Sequence, residues 1–138
     1  MNIDEAKAHY EKVTTQVREQ VTCDGKALPW KVEEAGGAEP TGPMDDEGNI
    51  TAYTYRGPFL TAKVSCNQAA GDFDTLVSQV TDILEANGEV ADTQQLANGL
   101  GTDGAEYRWL DGHGTSFTLS SGAWTSFSFV SEKEFPRD

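Results

Sequence analysis

Two stretches of the chain place hydrophobic residues three and four positions apart, as an amphipathic helix does. The second stretch lies between Asp72, a suitable helix N-cap, and Asn87-Gly88, a pair that typically ends a helix. The pattern therefore predicts two helices, each with one buried side. The first, over about residues 3–22, has its apolar stripe at Ile3, Ala6, Tyr10, Val13, Val17 and Val21. The second, over about residues 72–87, has its stripe at Phe73, Leu76, Val77, Val80, Ile83 and Leu84.

Several other stretches alternate apolar and polar residues, which is the period of a β-strand. Residues 50–56 and 59–66 alternate on either side of Gly57-Pro58, and we expect a hairpin or one bent strand there. Residues 104–138 predict an antiparallel meander that turns first at Asp111-Gly112-His113-Gly114. Shorter strands are expected over 28–34 and 89–93, and loops over 35–49 and 97–104.

These elements fit a single α+β domain spanning residues 1–138. We expect a twisted antiparallel sheet of about five to six strands, with the two helices packed on one of its faces. Serine and threonine recur at alternate positions of the last strands, as at Ser116, Thr118 and Ser120. This alternation predicts that one face of the sheet is packed and that the other contacts solvent.

The chain is strongly acidic, with 23 Asp and Glu residues against 10 Lys and Arg residues and a net charge of −13. A field of this sign repels nucleic-acid phosphates and anionic lipid head groups, so we exclude nucleic acid as a partner. No run of about 18 apolar residues occurs, so we expect no membrane-spanning segment. An acidic surface instead favours fast encounter with a basic protein.

Cys23 and Cys66 are the two cysteines of the chain. A zinc site needs three or four ligands at short spacings, a redox pair needs Cys-x-x-Cys, and a catalytic cysteine needs a partnering histidine. The zinc spacing and the redox motif are both absent, and His9 and His113 are the two histidines available. We therefore favour a structural disulfide over two free buried thiols, a metal site or a catalytic cysteine. Since disulfides persist outside the reducing cytosol, this interpretation predicts an exported, extracytoplasmic protein.

The first residues, Met1-Asn2-Ile3-Asp4-Glu5, lack the basic start and the apolar run of a signal peptide. Two interpretations are open: a cytosolic protein, or the mature segment of an exported protein with an added start methionine. The cysteines favour the second interpretation.

The sequence carries no strong catalytic or metal-binding motif. His113, beside Asp111, is the candidate general base of a hydrolase, but no Gly-x-Ser-x-Gly motif accompanies it. We expect a partly buried structural role for His9. The acidic turn Asp45-Asp46-Glu47-Gly48-Asn49 lacks the spacing of a calcium loop, and residues 99–104 lack the lysine of a phosphate loop. We therefore expect no enzyme activity, no metal site and no cofactor.

Five aromatic residues form the candidate binding surface: Trp30, Tyr53, Tyr55, Trp109 and Trp124. Together on an exposed face of the sheet they would make a platform for a sugar, a peptide or another protein. The alternative, which we favour, is that they fill the core between the helices and the sheet.

The C-terminal part of the chain resembles a known family. Residues 106–122, EYRWLDGHGTSFTLSSG, and residues 125–129, TSFSF, look like the C-terminal meander of small cell-envelope lipoproteins of actinobacteria, the LppA-like group. The amphipathic first helix, a cysteine soon after it and a second cysteine further along are also similar to that group. The resemblance implies an extracytoplasmic domain of uncharacterised role, tethered to the membrane by a lipid on a cysteine upstream of Asn2.

These observations predict a non-enzymatic, exported, disulfide-linked domain that binds an unidentified envelope component or protein. The alternative is an acidic immunity or inhibitor protein that docks on a basic partner. A small hydrolase is the third and least supported alternative. An envelope-binding domain should show a concave aromatic or apolar patch, whereas a hydrolase should place His113 within about 3 Å of a serine hydroxyl and a carboxylate.

Overall fold

The computed structural model describes residues 1–89 and 92–137 as two α-helices, ten β-strands and one short 3₁₀-helix. The helices are α1 (Ile3–Gln20) and α2 (Asp72–Ala86), so both predicted helices are present and each ends slightly earlier than predicted. The strands are β1 (Thr22–Cys23), β2 (Lys26–Ala27), β3 (Lys31–Glu34), β4 (Gly37–Pro40), β5 (Ala52–Arg56), β6 (Phe59–Ala62), β7 (Asp92–Asn98), β8 (Ala105–Leu110), β9 (Thr115–Ser121) and β10 (Thr125–Pro136).

A capping box starts helix α1. The Asn2 side chain accepts a hydrogen bond from the Glu5 backbone N–H at 2.8 Å, and the Glu5 carboxylate accepts one from the Asn2 backbone N–H at 3.1 Å. These bonds satisfy N–H groups that the start of a helix otherwise leaves free. The helix has 18 residues, but within the described part of the chain neither helix has the length and hydropathy needed to cross a bilayer.

The main sheet has eight strands, and every strand pair in its described part is antiparallel. Its order is β3-β6-β10-β9-β8-β7, with β5 beside β10 and β4 beside β5. Strands β1 and β2 form a separate two-stranded sheet. The α+β class with two helices and an antiparallel sheet is therefore confirmed, but the expected count of five to six strands is wrong.

The additional strands lie where the sequence has the composition of a loop. Strand β4 occupies part of the predicted loop 35–49 and pairs with β5, because a partner strand satisfies its backbone groups despite the local glycine and proline. Strand β7 begins in the predicted strand 89–93 and continues into the predicted loop 97–104. Residues 90 and 91 of that predicted strand lie outside the described residues.

The Gly57-Pro58 dipeptide bends one long strand. Strands β5 and β6 lie on either side of it and both pair with β10, which has 12 residues and is long enough for both. A Cβ atom at Gly57 would lie 2.3 Å from an atom of the Phe129 ring, so glycine is required by this close approach. Of the two interpretations of this stretch, the bent strand is confirmed.

The inner face of the sheet carries large buried side chains that contact both helices. Tyr10 of α1 stacks on Tyr55 with ring centroids 5.2 Å apart. Trp109 Nε1 donates a hydrogen bond to Thr81 Oγ1 of α2 at 2.9 Å. The buried aromatic residues of the sheet are Tyr55, Trp109, Phe117, Phe127, Phe129 and Phe135.

Cys23 and Cys66 form a disulfide, with their Cα atoms 6.0 Å apart. Both residues are buried. The bond joins β1, which follows α1, to the segment that follows β6. The predicted disulfide is therefore confirmed, and it ties the end of the first helix to the sheet.

Candidate functional site

The side of the sheet opposite the core is mostly polar. Along β9, Thr115, Phe117, Leu119 and Ser121 are buried, whereas the residues between them are partly exposed. The sheet therefore has one packed face and one face that contacts solvent. We call the second one the outer face; on the central strands and their ends it is formed by Phe59, Thr61, Lys63, Ser116, Thr118, Ser120, Trp124, Ser126, Ser128 and Val130.

A groove with a volume of about 300 Å³ lies on the outer face where β5 bends into β6. This volume is at the lower end of the range found for small-molecule sites. Strands β3, β5, β6, β9 and β10 all contribute to its walls, so the groove depends on the whole centre of the sheet. Its lining residues are Glu34, Arg56, Gly57, Phe59, Ser116, Thr118, Ser128, Phe129 and Val130.

Two charged side chains line the groove, and their formal charges cancel: Glu34 and Arg56. Arg56 Nε lies 3.3 Å from Glu39 Oε1 in an exposed ion pair. Exposed pairs of this kind contribute little to stability, so a ligand can take the place of the Glu39 carboxylate beside Arg56 at a small cost in free energy. The groove thus offers a guanidinium that donates hydrogen bonds and a carboxylate that accepts them.

Apolar side chains on the outer face are also open to solvent. Phe59 and Val130 are 39% and 38% exposed in the groove, and Trp124, just before β10, is 50% exposed. The Lys63 ammonium lies 5.2 Å from the centroid of the Trp124 ring, within the range of a cation–π contact. Two exposed aromatic rings therefore lie on this face, one in the groove and one beyond it.

Hydroxyl groups occupy the outer face between these rings and around Phe59. Ser120 Oγ and Ser126 Oγ are 2.6 Å apart and hydrogen-bonded. Within residues 1–89 and 92–137, the hydroxyls of Ser116, Thr118 and Ser128 have no hydrogen-bond partner in the protein. These groups can therefore bond a ligand without breaking a contact within the protein.

A second group of polar side chains is buried on the inner face. The Tyr10 hydroxyl is 3.0 Å from Thr115 Oγ1, which donates a hydrogen bond to Ser131 Oγ at 2.9 Å. Burial raises the pKa of Tyr10, and the negative charges of Glu89 and Asp111 raise it further, although the hydrogen bonds to Thr115 and Ser131 lower it in part. The phenol therefore stays neutral and acts as a buried hydrogen-bonding group.

The Asp111 carboxylate holds the turn between β8 and β9. It accepts hydrogen bonds from the backbone N–H groups of His113 at 2.7 Å and Thr115 at 2.9 Å, and Lys133 Nζ lies 3.8 Å away. Burial raises the pKa of Asp111, but these hydrogen bonds and the lysine charge together bring it below its ordinary value. The carboxylate is thus ionised and engaged in fixing the turn.

The two histidines lie in different environments. His9 Nε2 pairs with the carboxylate of Glu89, a residue that is only 7% exposed, so this pair joins α1 to the segment after α2. His113 is exposed and contacts Asp111 through its backbone N–H. In the described part of the chain its ring makes no hydrogen bond to a serine or a carboxylate. The structure therefore does not bring together the groups that the hydrolase alternative requires.

The acidic turn is held by its own first carboxylate. Asp45 Oδ1 accepts hydrogen bonds from the backbone N–H groups of Asn49 at 2.8 Å and Glu47 at 2.9 Å, and these bonds lower the pKa of Asp45. This carboxylate is therefore used to stabilise the turn. Across residues 1–89 and 92–137, no three His, Cys, Asp or Glu side chains converge as metal ligands.

The structure separates the five aromatic residues of the candidate binding surface. Tyr55 and Trp109 are 4% and 0% exposed and belong to the core. Trp30 and Tyr53 are partly buried and pack against it. Trp124 is on the outer face. The five rings therefore do not form one exposed platform.

Phe59, Arg56 and Val130 are outer-face residues that the sequence analysis did not single out. The signal for Phe59 was its phase: Leu60 belongs to the predicted apolar side of strand 59–66, so its neighbour must point to the opposite face. In the same way, Val130 follows the buried Phe129 in β10 and therefore points to the outer face. Apolar residues that are out of phase with the core were thus the signal for a site.

Comparisons with known proteins support the fold. No protein-family model matches the sequence, and no curated protein matches it either. The structure is similar to the crystal structure of LppA from Mycobacterium tuberculosis, a protein assigned to the lipoproteins, with a TM-score of 0.61 and 15% sequence identity. The similarity covers 98% of this chain and 76% of that one. The chain therefore has an LppA-like fold, as the resemblance of its C-terminal meander predicted.

Proposed function

We propose that this chain is a non-enzymatic, extracytoplasmic binding domain and that the outer face of its sheet contacts a component of the cell envelope. The observation that carries the proposal is the groove at Glu34, Arg56, Phe59 and Val130. It is concave, it combines apolar and hydrogen-bonding groups, and it lies on a face that the helices leave open. Binding sites for small ligands share these features.

The disulfide supports a location outside the cytoplasm. Cys23 and Cys66 are joined and buried, and such bonds persist in oxidising compartments. The LppA-like fold is consistent with this location, because LppA is assigned to the lipoproteins.

The surroundings of the candidate catalytic groups support a non-enzymatic role. The Asp111 carboxylate accepts hydrogen bonds from backbone N–H groups of its own turn, and His9 pairs with Glu89. The Thr61 hydroxyl of the outer face donates a hydrogen bond to the Glu33 carboxylate, and in the described part of the chain no histidine is hydrogen-bonded to a serine or threonine of this face.

Retention on insoluble envelope material tests the proposal. The purified chain is mixed with the insoluble cell-wall fraction of an actinobacterium, and the protein that sediments with it is measured. We expect the wild-type chain to sediment and the double variant Phe59→Ala/Trp124→Ala to remain in solution. The rings are 39% and 50% exposed, so removing both should lower the free energy of unfolding by roughly 2–3 kcal/mol in total.

The matched control is Met44→Ala/Leu96→Ala, which removes two exposed apolar side chains that are neither in the groove nor on the central strands. This variant should sediment like the wild type. Equal sedimentation of the wild type and both double variants, or sedimentation of none of them, would show that the outer face does not bind envelope material.

A second candidate function is supported by the charge of helix α2. Its exposed residues include Asp74, Asp82 and Glu85, and the helix contains no Lys, Arg or His. This side of the molecule suits docking on a basic protein, as an inhibitor or immunity protein would. Such binding should weaken steeply between low and physiological salt, whereas binding at the neutral groove should change little.

A further inference from the structure

We infer that the outer face binds a neutral oligosaccharide, which lies along β10 between Trp124 and Phe59. The inference rests on the proposed function, since it names the ligand class of the same face. Three features carry it: the spacing of the two exposed rings, the hydroxyl groups between them and the balance of charge in the groove.

The side chains of Phe59 and Trp124 are too far apart to contact one sugar unit, but their separation suits a short oligosaccharide. Leu60 pairs with Phe127, which places Phe59 beside Ser128, four residues along β10 from Trp124. At about 3.4 Å per residue, this separation is roughly 14 Å. Each pyranose has an apolar face of C–H groups that stacks on an aromatic ring, so the rings can hold two separate units of one oligosaccharide.

The surface between the rings matches the chemistry of sugar hydroxyls. A hydroxyl group donates and accepts hydrogen bonds at the same time, and serine and threonine do so as well. Ser120 and Ser126 lie between the rings and hydrogen-bond each other. Thr118 and Ser128 lie beside Phe59 and have no partner in the described part of the protein, so these two hydroxyls are available to a ligand. A row of such groups binds a polyhydroxylated chain without demanding a fixed charge.

The charges on this face favour a neutral ligand. Arg56 is ion-paired with Glu39, and the other charged residue of the groove lining is Glu34, so the groove has no unpaired positive charge to attract an anion. The molecule as a whole carries −13 and repels anionic polysaccharides. Glu34 can accept hydrogen bonds from sugar hydroxyls, and Arg56 can donate hydrogen bonds to them.

The same face suits other occupants less well. An extended peptide binds best by adding a strand to an open edge, but β6, β9 and β10 are interior strands whose backbone groups are used in the sheet. A second copy of the chain would need an apolar interface centre, and interfaces are depleted of serine. The observations therefore favour a sugar ligand over a peptide or a dimer contact.

Chemical treatment of the wall fraction tests the inference. Periodate cleaves the vicinal diols of sugars, whereas a broad-specificity protease removes proteins and leaves polysaccharides intact. We expect retention of the wild-type chain to be lost after periodate and kept after protease. Neutral oligosaccharides released from the same fraction should bind in calorimetry, and Trp124→Ala should weaken this binding about tenfold while Trp124→Phe weakens it less.

The outcomes separate the inference from the proposed function. Retention that survives periodate and falls after protease would show that the ligand is a protein; the inference would then be overturned, while the binding role of the outer face would stand. Retention that does not depend on Phe59 and Trp124 would overturn both. Loss of retention after periodate, together with full retention of the Met44→Ala/Leu96→Ala control on the untreated fraction, would support both the inference and the proposed function.

Discussion

At the scale of single residues, the same hydroxyl side chains have different roles on the two faces of the sheet. On the inner face, Ser121 is fully buried, lies 2.9 Å from Thr125 Oγ1 and accepts a hydrogen bond from the Cys66 backbone N–H. A buried hydroxyl destabilises the fold unless it is hydrogen-bonded, so these contacts are structural. On the outer face, Thr118 and Ser128 contact solvent and are available to a ligand.

Replacing Tyr10 by phenylalanine tests the buried group. The substitution removes the hydrogen bond between the Tyr10 hydroxyl and Thr115, which keeps its bond to Ser131, so the free energy of unfolding should fall by about 1 kcal/mol at neutral pH. The pKa of Tyr10 is raised above its ordinary value near 10 in the folded chain. Its contribution to stability is therefore complete below pH 10 and is lost as the pH rises through the folded pKa. Tyr10→Phe should remove this loss and flatten the dependence above pH 10.

Tyr55→Phe is the matched control for this substitution. Burial raises the pKa of Tyr55 too, and the negative charge of Glu11 adds to this, but within the described residues its hydroxyl makes no hydrogen bond. Tyr55→Phe should therefore flatten the pH dependence of the free energy of unfolding above pH 10, but it should not lower this free energy at neutral pH. Urea unfolding at pH 8 and pH 11 measures both effects, and equal losses for the two variants at pH 8 would contradict the role assigned to the Tyr10 hydroxyl.

The sequence pointed to one of the two exposed rings as a candidate and missed the other, although it favoured a core position for Trp124 and its four aromatic companions. Trp124 was named from its residue type, and it is half exposed on the outer face. Phe59 was missed because only the inner residues of the alternating strand 59–66 were considered, and these start at Leu60. The burial of Tyr55 and Trp109 depends on which face each strand turns to the helices, and this is set by pairing between distant segments.

At the scale of elements, both helices could be predicted, whereas β1, β2 and β4 were not predicted and β7 was predicted only in part. The stripes of α1 and α2 repeat over several turns, so their period is unmistakable. All seven residues of β7 are exposed, so this strand lacks the alternation that marks a half-buried one. Strand β4 is also almost wholly exposed and exists because β5 provides a partner.

The bend at Gly57 can be tested by adding a single methyl group. Gly57→Ala places a Cβ atom 2.3 Å from the Phe129 ring, which must move, and we expect a loss of about 1–3 kcal/mol in the free energy of unfolding. Gly37→Ala in β4 is the control, since no atom lies within 4 Å of its Cβ position and its effect should stay within about 0.5 kcal/mol. Denaturant titration of both variants measures the difference. Similar losses would show that the contact with Phe129 does not impose the glycine.

At the scale of the whole molecule, the disulfide links the segment that follows α1 to the segment that follows β6. Cys23 and Cys66 are separated by 43 positions, and the entropy of closing such a loop corresponds to about 4 kcal/mol. The double variant Cys23→Ser/Cys66→Ser should therefore unfold at a clearly lower temperature, and the reduced wild type should behave in the same way. Unchanged melting of both would mean that the rest of the core holds the chain without the bond.

The two sides of the molecule also differ in charge, and this difference separates the two candidate functions. The exposed side of α2 carries only negative charge, whereas the groove on the outer face is balanced by Glu34 and Arg56. A basic protein partner would therefore contact α2, and a neutral ligand would contact the sheet.

Mapping the contact surface by NMR is the most direct test of the outer face as the ligand site. The isotope-labelled chain is titrated with neutral oligosaccharides released from the wall fraction, and the amide chemical shifts are followed. We expect the largest changes in β6, β9 and β10, centred on Phe59, Thr118 and Ser128, with little change in α2. Changes confined to α2 would contradict the outer face as the ligand site, and no changes at any concentration while wall retention persists would contradict a neutral oligosaccharide as the ligand.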